Sequence, residues 1–307
     1  MEYVVETRDL TRVFGNFTAV DKLNIQIKPG EIYGFLGPNG AGKSTAIRML
    51  CGILEPSAGS GTILGYDLLQ ETEKIKSHIG YMSQKFSLYN DLTVLENLNF
   101  YAGIYSIPKE VRQQRIQEMI AMAGLIGREK ELVANLSGGW KQRLALGCAI
   151  IARPSIVFLD EPTSGVSPTS RRMFFNIIQE LADQGTTIMV TTHFMDEAER
   201  CHKIAFISSG KLMAIDTPDY LKRNTLEGFL VELAIPQAME KISELESLAY
   251  VKDCTIHGPL LHVLLNNQKH MEDLRNLTGV EPRPIVPSLE DVFMALAKRQ
   301  RESECSA

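Results

Sequence analysis

The stretch "EIYGFLGPNGAGKSTAIRML", residues 31–50, constrains the fold of this chain more than any other. A short apolar run, "EIYGFLG" (31–37), ends in glycine. Behind it, "AGKSTAIRMLCGIL" (41–54) places Ile47, Leu50 and Leu54 on one helical face. Gly37, Gly40 and Gly42 let the backbone curl so that successive N–H groups turn inward. The positive dipole end of the following helix faces the same space. The spacing Gly37-xxxx-Gly42-Lys43-Ser44 therefore predicts a strand, a phosphate-cradling loop and a helix. Lys43 reaches toward β- and γ-phosphates, and the Ser44 hydroxyl suits Mg²⁺. Pro38, Asn39, Ala41 and Thr45 complete the binding loop.

Holding a phosphate chain is not breaking it. Hydrolysis also needs a metal anchor and a group that orients the attacking water. The run "IVFLDEP" (156–162) supplies both: Asp160 ends an apolar strand and can hold Mg²⁺, and Glu161 follows as a general base. In "NLSGGWKQRLALGCAII" (135–151), Ser137 is expected to cap a helix whose first N–H groups Gly138 and Gly139 leave open. This is a second anion cradle without a lysine. One phosphate chain does not need two cradles from one molecule, so Ser137, Gly138 and Gly139 are expected to meet a nucleotide held by another copy.

The rest of the first 215 or so residues alternates strand and helix, which predicts a largely parallel α/β sheet in a nucleotide-binding domain of residues 1–225. "IVFLD" and "TTIMVTTH" (186–193) read as buried central strands, with the helix "TSRRMFFNIIQELADQG" (169–185) between them. A helical insert is expected over about 85–150. Its segment "PKEVRQQRIQEMIAMAGL" carries an apolar stripe of Val111, Ile116, Met119, Ile120 and Ala123. Residues 226–307 change texture and read as a small α+β appendage ending in the helix "PSLEDVFMALAKRQ", with a frayed tail "RESECSA". Ser288 and Asp291 have capping-box spacing.

At this point the sequence closely resembles an ATP-binding-cassette (ABC) transporter ATPase of the P-loop NTPase class. The likeness covers nearly all of the first 220 residues, with the motifs in the family's order. After the phosphate loop come a Q-loop glutamine, Gln84 in "YMSQKF", the signature "LSGGW", the second Walker motif "IVFLDE", the D-loop "SGVSP" and the switch histidine His193 in "TTH". Phe14 in "RVFGNF" resembles the aromatic that stacks on adenine, with Phe17 close by as the alternative. The resemblance implies ATP and Mg²⁺ as ligands. It implies that Gln84 senses Mg²⁺ and the attacking water, and that His193 binds the γ-phosphate. Two positions depart from the family pattern: Trp140, the single tryptophan, replaces the glutamine that usually ends the signature, and Ser167 replaces a D-loop aspartate. Trp140 is expected to pack against a nucleotide or the facing subunit. Ser167-Pro168 still makes a good helix start. The appendage followed by "PSLEDVFMALA" resembles the type-2 exporter class, whose multidrug members keep the membrane spans on a separate polypeptide.

These features imply an ATPase subunit on the cytoplasmic face of a membrane, peripheral through an integral permease subunit. It would act as a homodimer or beside a closely related ATPase. No apolar run approaches the roughly 18 residues of a membrane span. The formal net charge of −5 argues against a partner of nucleic acid held by bulk positive charge. A non-transport ABC ATPase and an ATP-binding regulatory module with weak turnover remain as alternatives. The five cysteines form no CxxC pair, and His257, His262 and His270 share no spacing that suggests metal.

Overall fold

The computed structural model describes residues 2–84, 88–236 and 238–305. Three residues of the "YMSQKF" stretch and its continuation (85–87), Gln237 of the appendage and the last two residues of the tail lie outside the described residues. The chain divides into two compact units, Met1–Ile215 and Asp216–Ala307.

The first unit is built on two sheets. Strands β1 (Val5–Phe14), β2 (Phe17–Leu23), β3 (Gln26–Ile27), β5 (Ala58–Ile63) and β6 (Tyr66–Asp67) form an antiparallel sheet. Strands β4 (Ile32–Leu36), β7 (Ile79–Met82), β8 (Ile156–Asp160), β9 (Thr187–Thr192) and β10 (Lys203–Ser208) run parallel in the order β10-β4-β9-β8-β7. β4, β8 and β9 are buried along their whole length, as strands covered on both faces must be. β11 (Lys211–Asp216) joins the edge at β10 through Ser209 and Gly210, both left-handed (φ 48° and 78°), as a tight hairpin turn demands.

Helix α1 (Lys43–Leu50) follows the phosphate loop and is shorter than the sequence suggests, because Cys51 closes it and Leu54 packs from the next turn. Ile47 and Leu50 share one core with Val5, Leu23 and Ile63 of the antiparallel sheet and Phe35 and Phe158 of the parallel one. Helix α2 (Thr72–His78) precedes β7, while α6 (Pro168–Asp183) and α7 (Met195–Ala198) flank β9.

The stretch read as a helical insert holds α3 (Val94–Ile104), α4 (Lys109–Ala123) and α5 (Gly138–Ile150). Thr93 and Glu96 close a capping box at the start of α3. Ile116, Met119, Ile120 and Ala123 are buried as the stripe predicts, but Val111 is 41% exposed. It lies in the first turn of α4, before the helix reaches its partners. Gly147 lets α5 approach α4 closely, since a Cβ there would sit 3.3 Å from that of Met119.

The second unit is α+β. Its antiparallel sheet runs β13 (Val251–His257), β14 (Leu260–Leu265), β12 (Phe229–Leu233), β15 (Arg283–Pro284). Its helices are α8 (Pro218–Asn224), α9 (Ala238–Glu246), α10 (Met271–Thr278) and α11 (Leu289–Cys305), the last continuing into the tail that was expected to fray. Val231, Leu233, Leu245, Leu261, Val263, Leu265 and Leu274 form a core of their own. Among the described residues, no helix is long and apolar enough to cross a membrane.

Candidate functional site

The phosphate loop runs from the end of β4 to the first turn of α1. Gly40 and Gly42 have φ values of 81° and 101°, a region that side chains other than glycine's avoid. At Gly42 a Cβ would also strike the Ala19 carbonyl, and at Gly37 the Ile207 carbonyl. Lys43 is only 3% exposed. A buried ammonium needs compensation, and Lys43 finds it by donating to the Gly37 carbonyl at 2.8 Å and the Pro38 carbonyl at 3.0 Å, and by pairing with Glu161 Oε1 at 3.1 Å.

Parallel pairing of β8 with β9 sets Asp160 beside Thr191. The buried Asp160 Oδ1 accepts from Ser44 Oγ at 2.8 Å and from Thr191 Oγ1 at 3.0 Å. Its other oxygen, Oδ2, is buried with no hydrogen-bond partner. A free carboxylate oxygen beside a serine hydroxyl is the hard oxygen donor set that suits Mg²⁺. Thr191 Oγ1 also accepts the Glu161 backbone N–H at 2.8 Å. One hydroxyl thus fixes both acids, a role invisible in sequence because it depends on the cross-strand neighbour.

Glu161 sits at φ 44°, a left-handed conformation that costs a glutamate about 1–3 kcal/mol. The bend turns its carboxylate to Lys43 on one oxygen and to Gln84 on the other, where Gln84 Nε2 donates at 3.1 Å. His193 Nδ1 lies 3.7 Å from the same Oε2 and, though buried, has no hydrogen-bond partner of its own. Lys43, Gln84, the adjacent pair Asp160 and Glu161, and His193 therefore converge from four separate stretches. An open cleft of about 490 Å³ is lined by Asn39, Gly40, Lys43, Ser44, Gln84 and Glu161 on one side, with Phe14 and Phe17 at its edge. Both aromatic rings are exposed, and the Arg12 guanidinium lies 4.5 Å over Phe14.

Ser137, Gly138 and Gly139 open α5 but are not among the residues that line this cleft. Ser137 takes the N-cap position, yet its hydroxyl makes no cap bond, contrary to the capping role expected of it. Ser137 is exposed, and the first N–H groups of α5 lack the intrahelical acceptors that later turns have. Gly139 is needed for packing as well, since a Cβ would press on Ser170 of α6 at 2.5 Å from Oγ. Trp140, expected to meet a nucleotide or a facing subunit, is stacked at 3.7 Å under the Arg128 guanidinium of its own insert, and Arg128 forks onto Glu131 at 2.7 and 3.0 Å. Ser167 does cap α6, accepting the Ser170 N–H at 3.3 Å ahead of Pro168.

Two further residues hold the loop after β8. Gln142, buried in α5, donates to the Pro162 carbonyl. Glu197, 2% exposed in α7, accepts from Thr163 and Thr192 hydroxyls, each at 2.5 Å. Burial raises the Glu197 pKa above the usual carboxylate range, although the two hydroxyls pull it the other way.

Comparison with known proteins agrees with this geometry. The ABC transporter family model matches residues 20–164. The chain is 49% identical over 221 residues to the "Probable multidrug ABC transporter ATP-binding protein YbhF" of Escherichia coli (strain K12), covering 72% of this chain and 38% of that protein. It spans, in other words, well under half the length of that relative. Over 307 residues it is 31% identical to the linearmycin resistance ATP-binding protein LnrL of Bacillus subtilis (strain 168), with 96% of this chain and 99% of that protein aligned. Against the Nod factor export ATP-binding protein I of Burkholderia pseudomallei (strain K96243) the identity is 32%, with 96% and 97% covered. A solved ATP-binding subunit of an ABC transporter superposes with a TM-score of 0.65 at 28% identity, covering 71% of this chain and 92% of its own. A dimeric ATP-binding cassette in a post-hydrolysis state, bound to ADP and Pi, gives 0.63 at 27%, covering 69% and 98%. Relatives above 30% identity that align over almost their full length, together with a phosphate loop backed by a strand-end acid pair, establish that this chain belongs to the ATP-binding subunits of the ABC transporter family.

Proposed function

We propose that the chain hydrolyses ATP to drive export through a separate integral membrane subunit on the cytoplasmic side. The observation that carries the reading is the convergence on Glu161 of Lys43, Gln84 and His193. Phosphate oxygens take over Lys43 from the carbonyls it now holds, and the N–H groups of the loop and α1 surround the same oxygens. Ser44, Asp160 and Gln84 hold Mg²⁺, which when bound neutralises charge on the β- and γ-phosphates. Glu161 accepts the proton of the attacking water, Gln84 orients that water, and His193 donates to the γ-phosphate. Phe14, or Phe17 beside it, stacks on adenine.

Ser137, Gly138 and Gly139 serve the nucleotide of a second copy or of a closely related ATPase. They are absent from this chain's own cleft, and Ser137 keeps its hydroxyl uncommitted. ATP favours the closed dimer because only the intact γ-phosphate engages both surfaces, and a ligand shifts an equilibrium only by such differential binding. The relatives named for multidrug transport, linearmycin resistance and Nod factor export support export as the direction of transport, with drugs as the cargo class. Replacing Glu161 by Gln keeps the shape and removes the base. Turnover is expected to fall about 10²–10⁴-fold while light scattering detects an ATP-dependent dimer. A variant that turns over at the native rate and stays monomeric with ATP would overturn the assignment.

A further inference from the structure

Three side chains of the second unit that the proposed ATP chemistry leaves unused meet at one point. His257 ends β13 and His262 lies in β14. Because Thr255 pairs with His262, the two histidines are diagonal neighbours on one face of the hairpin. Their rings lie 3.9 Å apart at 16°. Asp291, in the first turn of α11, brings Oδ1 to 2.8 Å from His262 Nδ1 and 3.0 Å from His257 Nε2. Its Oδ2 is held separately by the Ser288 N–H and hydroxyl, each at 2.7 Å, so the capping box orients the carboxylate. His262 and Asp291 are buried, and His257 is partly so. We propose that His257, His262 and Asp291 form a site for a divalent cation of the zinc class, clipping the β13–β14 hairpin to the start of α11.

Hydrogen-bond accounting carries the inference. The outward nitrogens of the two rings also face carboxylates: His257 Nδ1 lies 3.9 Å from Glu290 and His262 Nε2 lies 4.0 Å from Glu232. A neutral imidazole has one donor and one acceptor nitrogen. If both rings donate to Asp291, each turns its acceptor nitrogen toward another acceptor. If both donate outward, two lone pairs converge on Asp291 Oδ1 instead. Consistent with this conflict, the buried Nε2 of His257 makes no hydrogen bond despite its nearness to Asp291. A dication between Nε2, Nδ1 and Oδ1 resolves it: the inward nitrogens bind as lone-pair donors, and the outward N–H groups point at Glu290 and Glu232. Carboxylates behind ligating histidines are the usual support of such sites. Two imidazoles and one carboxylate select the zinc class over Mg²⁺ or Ca²⁺. Ligands of tetrahedral zinc stand about 3.3 Å apart, so the triad opens slightly and the rings splay, with the partly exposed His257 the one free to turn. Three protein ligands leave a fourth position for water.

The discriminating experiment titrates Co²⁺ into chelator-treated, full-length, nucleotide-free protein with Mg²⁺ in excess. One equivalent is expected to bind with the visible absorption of a low-coordinate ion. His257→Ala is expected to weaken it about 100-fold or more and Glu232→Gln about 10-fold. Cys254→Ser is expected to change nothing, because burial pushes that thiol up to about 12 and keeps it protonated. The Glu232 variant, at a partly exposed position, and the unmodified protein keep the test decisive if a histidine variant misfolds. Native protein that takes up no stoichiometric Co²⁺, or His257→Ala that binds it equally well, overturns the site.

Discussion

The ATP cleft of the first unit and the histidine–aspartate cluster of the second are assembled in opposite ways. The cleft rests on a contiguous loop. Gly37 to Thr45 carry most of its chemistry within nine residues, and the backbone itself is the ligand, so spacing alone specifies it. The cluster has no local signature. His257 and His262 become neighbours only through the β13–β14 register, and Asp291 reaches them from a helix 29 residues beyond His262. A site made of backbone is legible in sequence; one made of register is legible only in the fold.

The same contrast runs inside the first unit. Asp160 and Glu161 are legible because the chain also carries a phosphate loop, beside which two acids ending an apolar strand gain a role. Thr191 is not, since its hydroxyl matters only through the pairing of β8 with β9. Glu197 looks like an ordinary acid of a polar helix, and only its burial between Thr163 and Thr192 reveals it. The antiparallel sheet is hidden in the sequence for a related reason. β1 reads "VETRDLTRVF" and β5 reads "AGSGTI", segments whose charges and glycines resemble loops, and they become strands because they pair with each other. The Arg128 guanidinium over the Trp140 ring is equally hidden, since the two lie twelve residues apart.

The comparison can be broken first at Leu261, which is fully buried in β14 beside His262. Leu261→Ala is expected to cost about 2–5 kcal/mol of local stability. Among the described residues, the cluster around Ile47 is drawn from the first unit and the cluster around Leu261 from the second. Hydrogen exchange should therefore accelerate across β12, β13 and β14, while basal ATP hydrolysis stays within about twofold of native at low temperature. Loss of protection through β4, β8 and β9 as well would mean that the two units share one cooperative fold.

A smaller effect is expected at Thr191, where the cleft depends on register as the cluster does. Thr191→Val keeps the shape but strands the buried Glu161 N–H, a loss of about 1–3 kcal/mol. Glu161 would no longer be pinned in its left-handed conformation, and turnover should fall with little change in ATP affinity. If only affinity changed, Thr191 would be acting on the nucleotide and not on the base.

The smallest effect sharpens the comparison most, because it concerns a residue with no visible signature in sequence. The folded pKa of Glu197 is raised by burial, so the native state holds its proton to higher pH than the unfolded chain does. Stability from that proton is complete below the ordinary carboxylate value of 4.5 and is lost as pH climbs through the raised folded value. Glu197→Gln removes this titration. The amide can still accept from one threonine and donate to the other, since a hydroxyl rotates to serve either role. The melting temperature of native protein should therefore decline more steeply than that of the variant as pH rises above 4.5. The two curves should become parallel once pH has passed the raised folded value of Glu197, where both forms keep the Thr163 and Thr192 contacts. Parallel curves over the whole range would mean that Glu197 is ionised throughout, its charge balanced by Arg171, which lowers the pKa. The loop after β8 would then be held by charge, in the manner of Lys43 and Glu161, and not by neutral hydrogen bonds.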